Sequence, residues 1–405
     1  MMKVRLSNQL HDLEKLENFV LKQAEFNSHL EKVYSSKELK AHEAFINLPF
    51  NKFQVIEILE LKKKINAKNL KKIFVLGIGG SSQGTKAIYD LLKDRENLVE
   101  MEFLDYVSSK NLESAIKKIK RVERDEYLIF VISKSGNTIE TIYNLEILEN
   151  YLEIVPSRVI FITDEKNPHE AIIKHKKYHL LNIPKKIGGR YSVFTHVGLA
   201  PLTFAGVNIV KLLEGAAYQV RDLLEGNSTA PLSAASKFLS ISQINESLFP
   251  DNNFLELGKW EKQLFNESLG KKEGIMFSSF GNFFIEVHSS LQYYLNSQDL
   301  FLNIISFEDR DTLYLKETSI LGKNFVNTDV NEINRAIEMA VKKDLSSRNI
   351  PFICYEFDEL NEYEIGSYMQ AKMIEAVFLG LFYKINPFTQ PDVQSHKEAI
   401  GNYLK

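Results

Sequence analysis

The chain has 405 residues, of which 44% are hydrophobic and 25% charged, with a net charge of −3. That length exceeds one ordinary core, so about two α/β domains are expected. The small net charge excludes the basic footprint of a nucleic-acid binder and an acidic partner-binding tail, so any anion must be held by local groups.

The N-terminus, MMKVRLSNQLHDLEKLENFVL, lacks the apolar core and small-residue cleavage site of a signal peptide. No stretch approaches the roughly 18 uninterrupted apolar residues of a membrane span. Secretion and membrane insertion are therefore not expected, and a cytoplasmic location is. Residues 1–45 are rich in Leu, Glu and Lys at helical spacing and read as a helical arm. An amphipathic helix follows over 53–72, broken near Asn66. The character then changes. KKIFVLGIGG is an apolar strand ending in glycines, and VEMEFLDY, YLIFVISK, RVIFIT and YHLLNI follow, mostly separated by helical stretches. That alternation predicts a mainly parallel sheet covered on both faces. The stretch 206–245 reads as helical. A second α/β series follows in IMFSS, LFLNIISF and PFICYEF. The single cysteine, Cys354, lies in the last of these and reads as a buried strand thiol; with no intrachain disulfide possible, a reducing compartment fits. The end, INPFTQPDVQSHKEAIGNYLK, reads as a loop entering a short helix.

FVLGIGGSSQGTKAIYDLL sets Gly77, Gly79, Gly80 and Gly84 between a strand and a helix. Helix N-termini attract anions, and glycine permits close backbone approach. The dinucleotide fingerprint fails because Ser82 stands at its third glycine, and the nucleotide phosphate loop fails because Thr85 precedes Lys86. A tight turn without a ligand remains the alternative. YLIFVISKSGNTIETIYNLEIL repeats the arrangement with Ser133, Ser135 and Thr138, three hydroxyls at a helix start. Capping by Ser135 or Asn137 accounts for one or two of these residues, but a phosphate cradle accounts for all three.

Four more groups are weak singly. Arg190 follows Gly188 and Gly189; its alternative is a structural ion pair. Gln263 and Glu267 stand one helical turn apart; a glutamate in such a charged helix is usually solvated. His288 sits among apolar neighbours, where a hydrogen-bonded core histidine is the commoner case. Gln390 and Lys397 lie near the C-terminus, where a charged helix explains the lysine. His175 and His179 are read as one solvated helical face; neither an H-E-x-x-H motif nor a cysteine pair is present, so no metal is expected.

Taken in order, these pieces resemble one family. The GIGGS turn at Gly77–Ser81, the Ser-Lys-x-x-x-Thr turn at Ser133, Lys134 and Thr138, and the GGRxS motif at Gly188–Ser192 come first. Gln-x-x-x-Glu-Ser-x-Gly-Lys from Gln263, the isolated His288, and Gln-x-x-V-x-x-x-Lys from Gln390 to Lys397 complete the set. The chain is similar to the glucose-6-phosphate isomerases over about 320 residues. Asn137, Asp392 and Gln394 depart from the usual Thr, Gly and Glu.

The resemblance implies a fold of two SIS-type (sugar isomerase) doubly wound αβα sandwich domains with mainly parallel sheets, plus an N-terminal helical arm and a C-terminal helix. The limits expected are 1–45 for the arm, 46–205 and 206–380 for the two domains, and 381–405 for a C-terminal active-site segment. It implies aldose–ketose isomerisation of glucose 6-phosphate and fructose 6-phosphate through a cis-enediol, in glycolysis and gluconeogenesis, without a cofactor. Glu267 would be the base, Arg190 would stabilise the enediolate, and His288 and Lys397 would assist ring opening. Ser133, Lys134, Ser135 and Thr138 would form the phosphate turn. Gly80, Ser81 and Gly189 would line the sugar, and Gln263 and Gln390 would orient it. A homodimer with shared active sites is implied, His288 being donated across the interface. Rivals are an isomerase also acting on mannose 6-phosphate, the isomerase half of an aminosugar synthase, and a non-catalytic sugar-phosphate sensor. The synthase needs an amide-transfer domain. The sensor reading predicts loss of the acid–base set, and Glu267, His288, Arg190 and Lys397 are all present.

Overall fold

The computed structural model describes residues 2–6, 19, 21, 23–308, 312–318, 320–393, 400 and 403. The chain opens with β1 (Lys3–Leu6), α1 (Ala24–Ser36), a 3-10 segment at His42–Phe50 and α2 (Lys52–Ile65). Asn66 ends α2 in the left-handed conformation, just beyond Lys62, Lys63 and Lys64 in the last turn, where cations meet the negative end of the helix. A first series follows: β2 (Lys72–Leu76), α3 (Gln83–Leu92), β3 (Glu100–Leu104), α4 (Ser109–Ile119), β4 (Tyr127–Ile132), α5 (Ile139–Tyr151), β5 (Val159–Asp164), α6 (Glu170–His175) and β6 (His179–Ile183). The linking helices are α7 (His196–Ala205), α8 (Ile209–Leu224) and α9 (Thr229–Ser240). The second series comprises β7 (Ile244–Phe249), α10 (Leu255–Leu269), β8 (Phe277–Asn282), the short α11 (Phe283–Ser289) and α12 (Leu291–Tyr294), β9 (Leu300–Phe307), α13 (Val330–Ser347), β10 (Phe352–Phe357) and α14 (Glu362–Tyr383).

The first sheet has the order β3-β2-β4-β5-β6 with every pair parallel. All six residues of β4 are buried, as a strand covered on both faces requires. The chain runs from β2 outward to β3, then returns to the other side of β2. This places a switch point between β2 and β4, where ligands of open parallel sheets are held at the strands' C-terminal ends. Both glycine-containing turns of the first series leave the sheet there. The second sheet runs β1-β10-β9-β7-β8, parallel except for β1.

Two expectations are corrected. The reading of residues 1–45 as helical fails at its start, because Lys3–Leu6 pairs antiparallel with β10. The segment KVRL alternates exposed and half-buried residues, and Lys3 and Arg5 pair with Asp358 and Glu356, both at 2.9 Å. Such charges suit an exposed sheet edge. His175 and His179 do not share a helical face: His175 ends α6, Lys177 takes φ +58, and His179 opens β6.

One continuous core joins the inner faces of the two sheets, with Ile73, Val75, Leu128 and Phe130 from the first and Phe301, Ile305, Ile353 and Tyr355 from the second. Among the helices between them, α14 is buried along nearly its whole length. Helices α8 and α14 cross at van der Waals contact of their backbones. A Cβ on Gly215 would lie 1.8 Å from the Tyr363 carbonyl oxygen, and one on Gly366 2.0 Å from that of Leu212.

A buried polar cluster fixes the helix that carries Gln263 and Glu267. Glu261 of α10 accepts from Ser247 of β7 at 2.6 Å and from Tyr368 of α14 at 2.5 Å, and lies 3.7 Å from Lys372. Lys372 and Lys237 both bond Glu375. Four ionised groups sit here with essentially no exposure, two of each sign, so no charge is left uncompensated. Burial pushes the Lys237 ammonium down to about 8. The Glu375 carboxyl is held low: burial opposes this, but Lys237 and Lys372 outweigh it.

Candidate active site

Three turns meet above the switch point. The first follows β2 as a 3-10 turn at Gly79–Ser81, and the second precedes α7 as a 3-10 turn at Gly189–Tyr191. They touch main chain to main chain. A Cβ on Gly80 would lie 2.3 Å from the Gly189 carbonyl carbon, so no other residue fits there. The Ser192 hydroxyl donates to the carbonyls of Gly189 at 2.7 Å and Gly80 at 3.3 Å, fastening the pair.

The third turn joins β4 to α5. The Ser133 and Thr138 hydroxyls are bonded to each other at 2.8 Å, and Ser135 is exposed. Thr138 is the N-cap of α5, yet its side chain does not cap the helix. The first-turn N–H groups of this 13-residue helix therefore have no side-chain cap, which is the arrangement that attracts a phosphate. The capping alternative raised for Ser135 and Asn137 is not what forms. The Lys134 ammonium is engaged elsewhere, donating to the carbonyls of Lys185 and Ile187.

Arg190 is the hub. It is buried, and each of its five N–H donors has an acceptor. Nε donates to Ser268 Oγ at 2.8 Å. Nη1 donates to Glu267 Oε1 at 2.9 Å and Gln390 Oε1 at 3.1 Å. Nη2 donates to the carbonyls of Pro387 at 2.5 Å and Thr389 at 3.1 Å. The guanidinium also lies 5.5 Å from the centre of the Tyr191 ring, which packs at a tilt against Phe45 and Phe388. Burial pushes the Tyr191 phenol up, keeping it neutral as it shares a hydrogen bond with Ser268 at 3.0 Å.

Glu267 is half-buried near the C-terminal end of α10. Its second oxygen accepts from Gln263 Nε2 at 3.0 Å. That amide nitrogen also stands against Gly79, closing a ring of contacts from the glycine turn through Gln263 and Glu267 to Arg190 and back. The end of α14 and the segment after it are strapped to the end of α10 by lysines: Lys271 donates to Asn386 O, and Lys272 to Tyr383 O at 2.9 Å. Burial, helped by repulsion from Arg190, pushes the Lys271 ammonium down to about 8.

The structure thus brings together Gly80, Gly189, Arg190, Gln263, Glu267 and Gln390, with Ser81 in the same turn as Gly80. The hydroxyls of Ser133, Ser135 and Thr138 sit together in the neighbouring turn. His288 is not brought in: it is exposed in the last turn of α11, and no contact joins it to Glu267 among the described residues. Lys397 lies outside the described residues, as does most of the expected C-terminal helix. Ser268, Tyr191, Lys271 and Lys272 were not singled out from the sequence. Ser268 and Lys271 stand inside the Gln-x-x-x-Glu-Ser-x-Gly-Lys stretch, and that adjacency was the available signal.

The phosphoglucose isomerase family model matches residues 55–271, more than half of the chain. The chain belongs to the phosphoglucose isomerase family. It is 31% identical to the glucose-6-phosphate isomerase of Methanocaldococcus jannaschii over 86% of this chain and 88% of that one. It is 29% identical to that of Mycoplasmopsis pulmonis over 100% and 99%. The crystal structure of a glucose-6-phosphate isomerase from Chlamydia trachomatis shares the fold with a TM-score of 0.78, at 18% identity over 97% of this chain and 85% of that one. The matched region of the phosphoglucose isomerase family model contains the three turns, Gln263 and Glu267, while Gln390 and His288 lie beyond it.

Proposed function

We propose that the chain interconverts glucose 6-phosphate and fructose 6-phosphate by moving a proton between C1 and C2 of the open sugar through a cis-enediol. As a member of its family it is an aldose–ketose isomerase. The observation that carries the reading is the Arg190 Nη1 group, which contacts Glu267 and Gln390 together and so unites three distant stretches of sequence. Glu267 is the base that takes the proton and returns it to the neighbouring carbon. Arg190 faces the oxygen on which negative charge develops. Its donors are all engaged by protein groups, so a sugar oxygen entering the site takes the place of one Nη1 acceptor. Gln390, exposed and held among the described residues by a single bond to Arg190, is the one that yields. Ser133, Ser135, Thr138 and the α5 N-terminus hold the 6-phosphate, while Gly80, Ser81, Gly189 and Gln263 line the sugar. Binding the unreactive phosphate end fixes the small reacting end against Glu267.

His288 and Lys397 assist ring opening. The exposure of His288, away from Glu267, supports its donation to the site of a second copy in a homodimer. The absence of a helix long and apolar enough to cross a membrane, among the described residues, is compatible with a cytoplasmic enzyme of glycolysis and gluconeogenesis. Two domains, 46–205 and 206–380, are part of this reading, because β2–β6 and β7–β10 fall on either side of residue 206. The test is to supply fructose 6-phosphate and follow glucose 6-phosphate through NADP reduction by added glucose-6-phosphate dehydrogenase. Turnover is expected; a folded protein without turnover contradicts the proposal.

A further inference from the structure

Lys134 stands between two hydroxyls of the phosphate turn, Ser133 and Ser135, and a lysine there invites the role of a phosphate ligand. Its contacts point elsewhere. The half-buried ammonium donates to the carbonyl oxygens of Lys185 at 2.8 Å and Ile187 at 2.6 Å. Its own main chain is fixed to β5 at the same time, the Lys134 carbonyl accepting from Asp164 N at 3.1 Å and from Thr163 Oγ1 at 3.4 Å. One side chain therefore spans from the phosphate turn to the residues that lead into Gly188, Gly189 and Arg190. An ammonium is strongly hydrated, and it gives up water without penalty only where acceptors replace it. Burial pushes this ammonium down, and Asp164 offsets part of that effect. The Gly189 turn has other fixed points: contact with Gly80 behind it, and the Arg190 bonds ahead of it.

We propose that Lys134 is a positioning residue: its side chain ties the phosphate turn to the Gly188–Arg190 turn, so that Arg190 is set over the reacting carbons, and its ammonium is not a phosphate ligand. The part concerning turnover rests on the isomerase reading; the part concerning phosphate does not.

The test uses full-length Lys134→Met and Lys134→Gln. Affinity for inorganic phosphate is read from the phosphate-dependent rise in melting temperature, and kcat and KM from the fructose 6-phosphate assay. A positioning role predicts phosphate affinity within about threefold of wild type in both variants. It also predicts that kcat falls roughly 10- to 100-fold in Lys134→Met with KM little changed. Lys134→Gln keeps N–H donors without the charge and recovers part of kcat. A phosphate ligand would behave oppositely: both uncharged variants would lose phosphate affinity tenfold or more, which overturns the proposal, as does an unchanged kcat in Lys134→Met. If Lys134→Met does not fold, phosphate affinity and kcat of Lys134→Gln decide by the same criteria. If the wild type binds phosphate but does not turn over fructose 6-phosphate, the isomerase reading fails. Phosphate affinity in the variants then still supports the assignment if retained and overturns it if lost.

Discussion

Arg190 gives its five donors to five acceptors drawn from α10 and from the segment after α14, and Lys271, just beyond α10, bonds that segment directly. The polar residues of this junction were legible because they recur in short ordered motifs: Arg190 after two glycines, Gln263 one turn before Glu267, Gln390 ahead of Val393. Their partners were not, because the carbonyls of Asn386, Pro387 and Thr389 are main-chain atoms that any residue supplies. Lys271 gives a prediction in pH. A charged ammonium is the stronger donor to Asn386, so activity is expected to decline as pH rises through about 8. Lys271→Arg, which stays charged, should move that alkaline limb upward; an unmoved limb removes Lys271 from the account. Stability runs the other way. The folded value of about 8 lies below the ordinary 10.5, so between them the unfolded chain binds more protons. The contribution of this one group to stability therefore increases as pH rises across that window, which melting curves of wild type and variant compare directly.

Among the elements, the strands of the first sheet were readable because burial on both faces makes them uninterrupted apolar runs, as in YLIFVI of β4. Strand β7 was missed. Its sequence INESLF places Asn245 and Ser247 inside, and a polar strand gives no apolar signal. Asn245 donates to Ser278 Oγ at 3.0 Å, while Asn303 of β9 donates to Asn245 Oδ1 at 2.8 Å and Ser247 Oγ at 3.2 Å. Only the assembled sheet supplies these partners. Asn303→Leu should strip the donors from this buried ladder and destabilise the fold by about 1–3 kcal/mol, read as a lower urea midpoint at unchanged slope. At the glycine turns the prediction concerns geometry. Gly80→Ala places a methyl group against the Gly189 main chain, which has no flexible end to move aside. The two turns must separate, so the variant should lose about 1–3 kcal/mol of stability and at least about tenfold in kcat. Normal turnover in the Gly80→Ala variant would show that this close approach does not matter to the site.

For the molecule as a whole, the two αβα halves were foreseen from the alternation of strands and helices, but β1 was not. Four residues at the start of the chain complete the second sheet at its far edge, a partnership between the two ends of the chain that local spacing cannot encode. The other feature of this scale is His288, exposed and without a contact to Glu267 within one chain among the described residues. If the site is shared, a hybrid dimer of Glu267→Gln with His288→Ala, purified through two different tags, contains one intact site of its two. It should show about half the wild-type turnover per dimer, although each parent is impaired. A hybrid as weak as its parents would place His288 in its own chain's chemistry, and an unimpaired His288→Ala parent would place it outside the chemistry.

The central proposal is that Glu267 is the proton-carrying base, and one comparison tests it most directly. Wild type and Glu267→Gln are assayed side by side for conversion of fructose 6-phosphate, with melting temperature measured on both. The glutamine keeps the size of the side chain and a carbonyl acceptor for Arg190, so the fold should survive. The account predicts a loss of roughly 10²- to 10⁴-fold in kcat with KM near wild type. A folded Glu267→Gln that turns over at a rate close to wild type would contradict it.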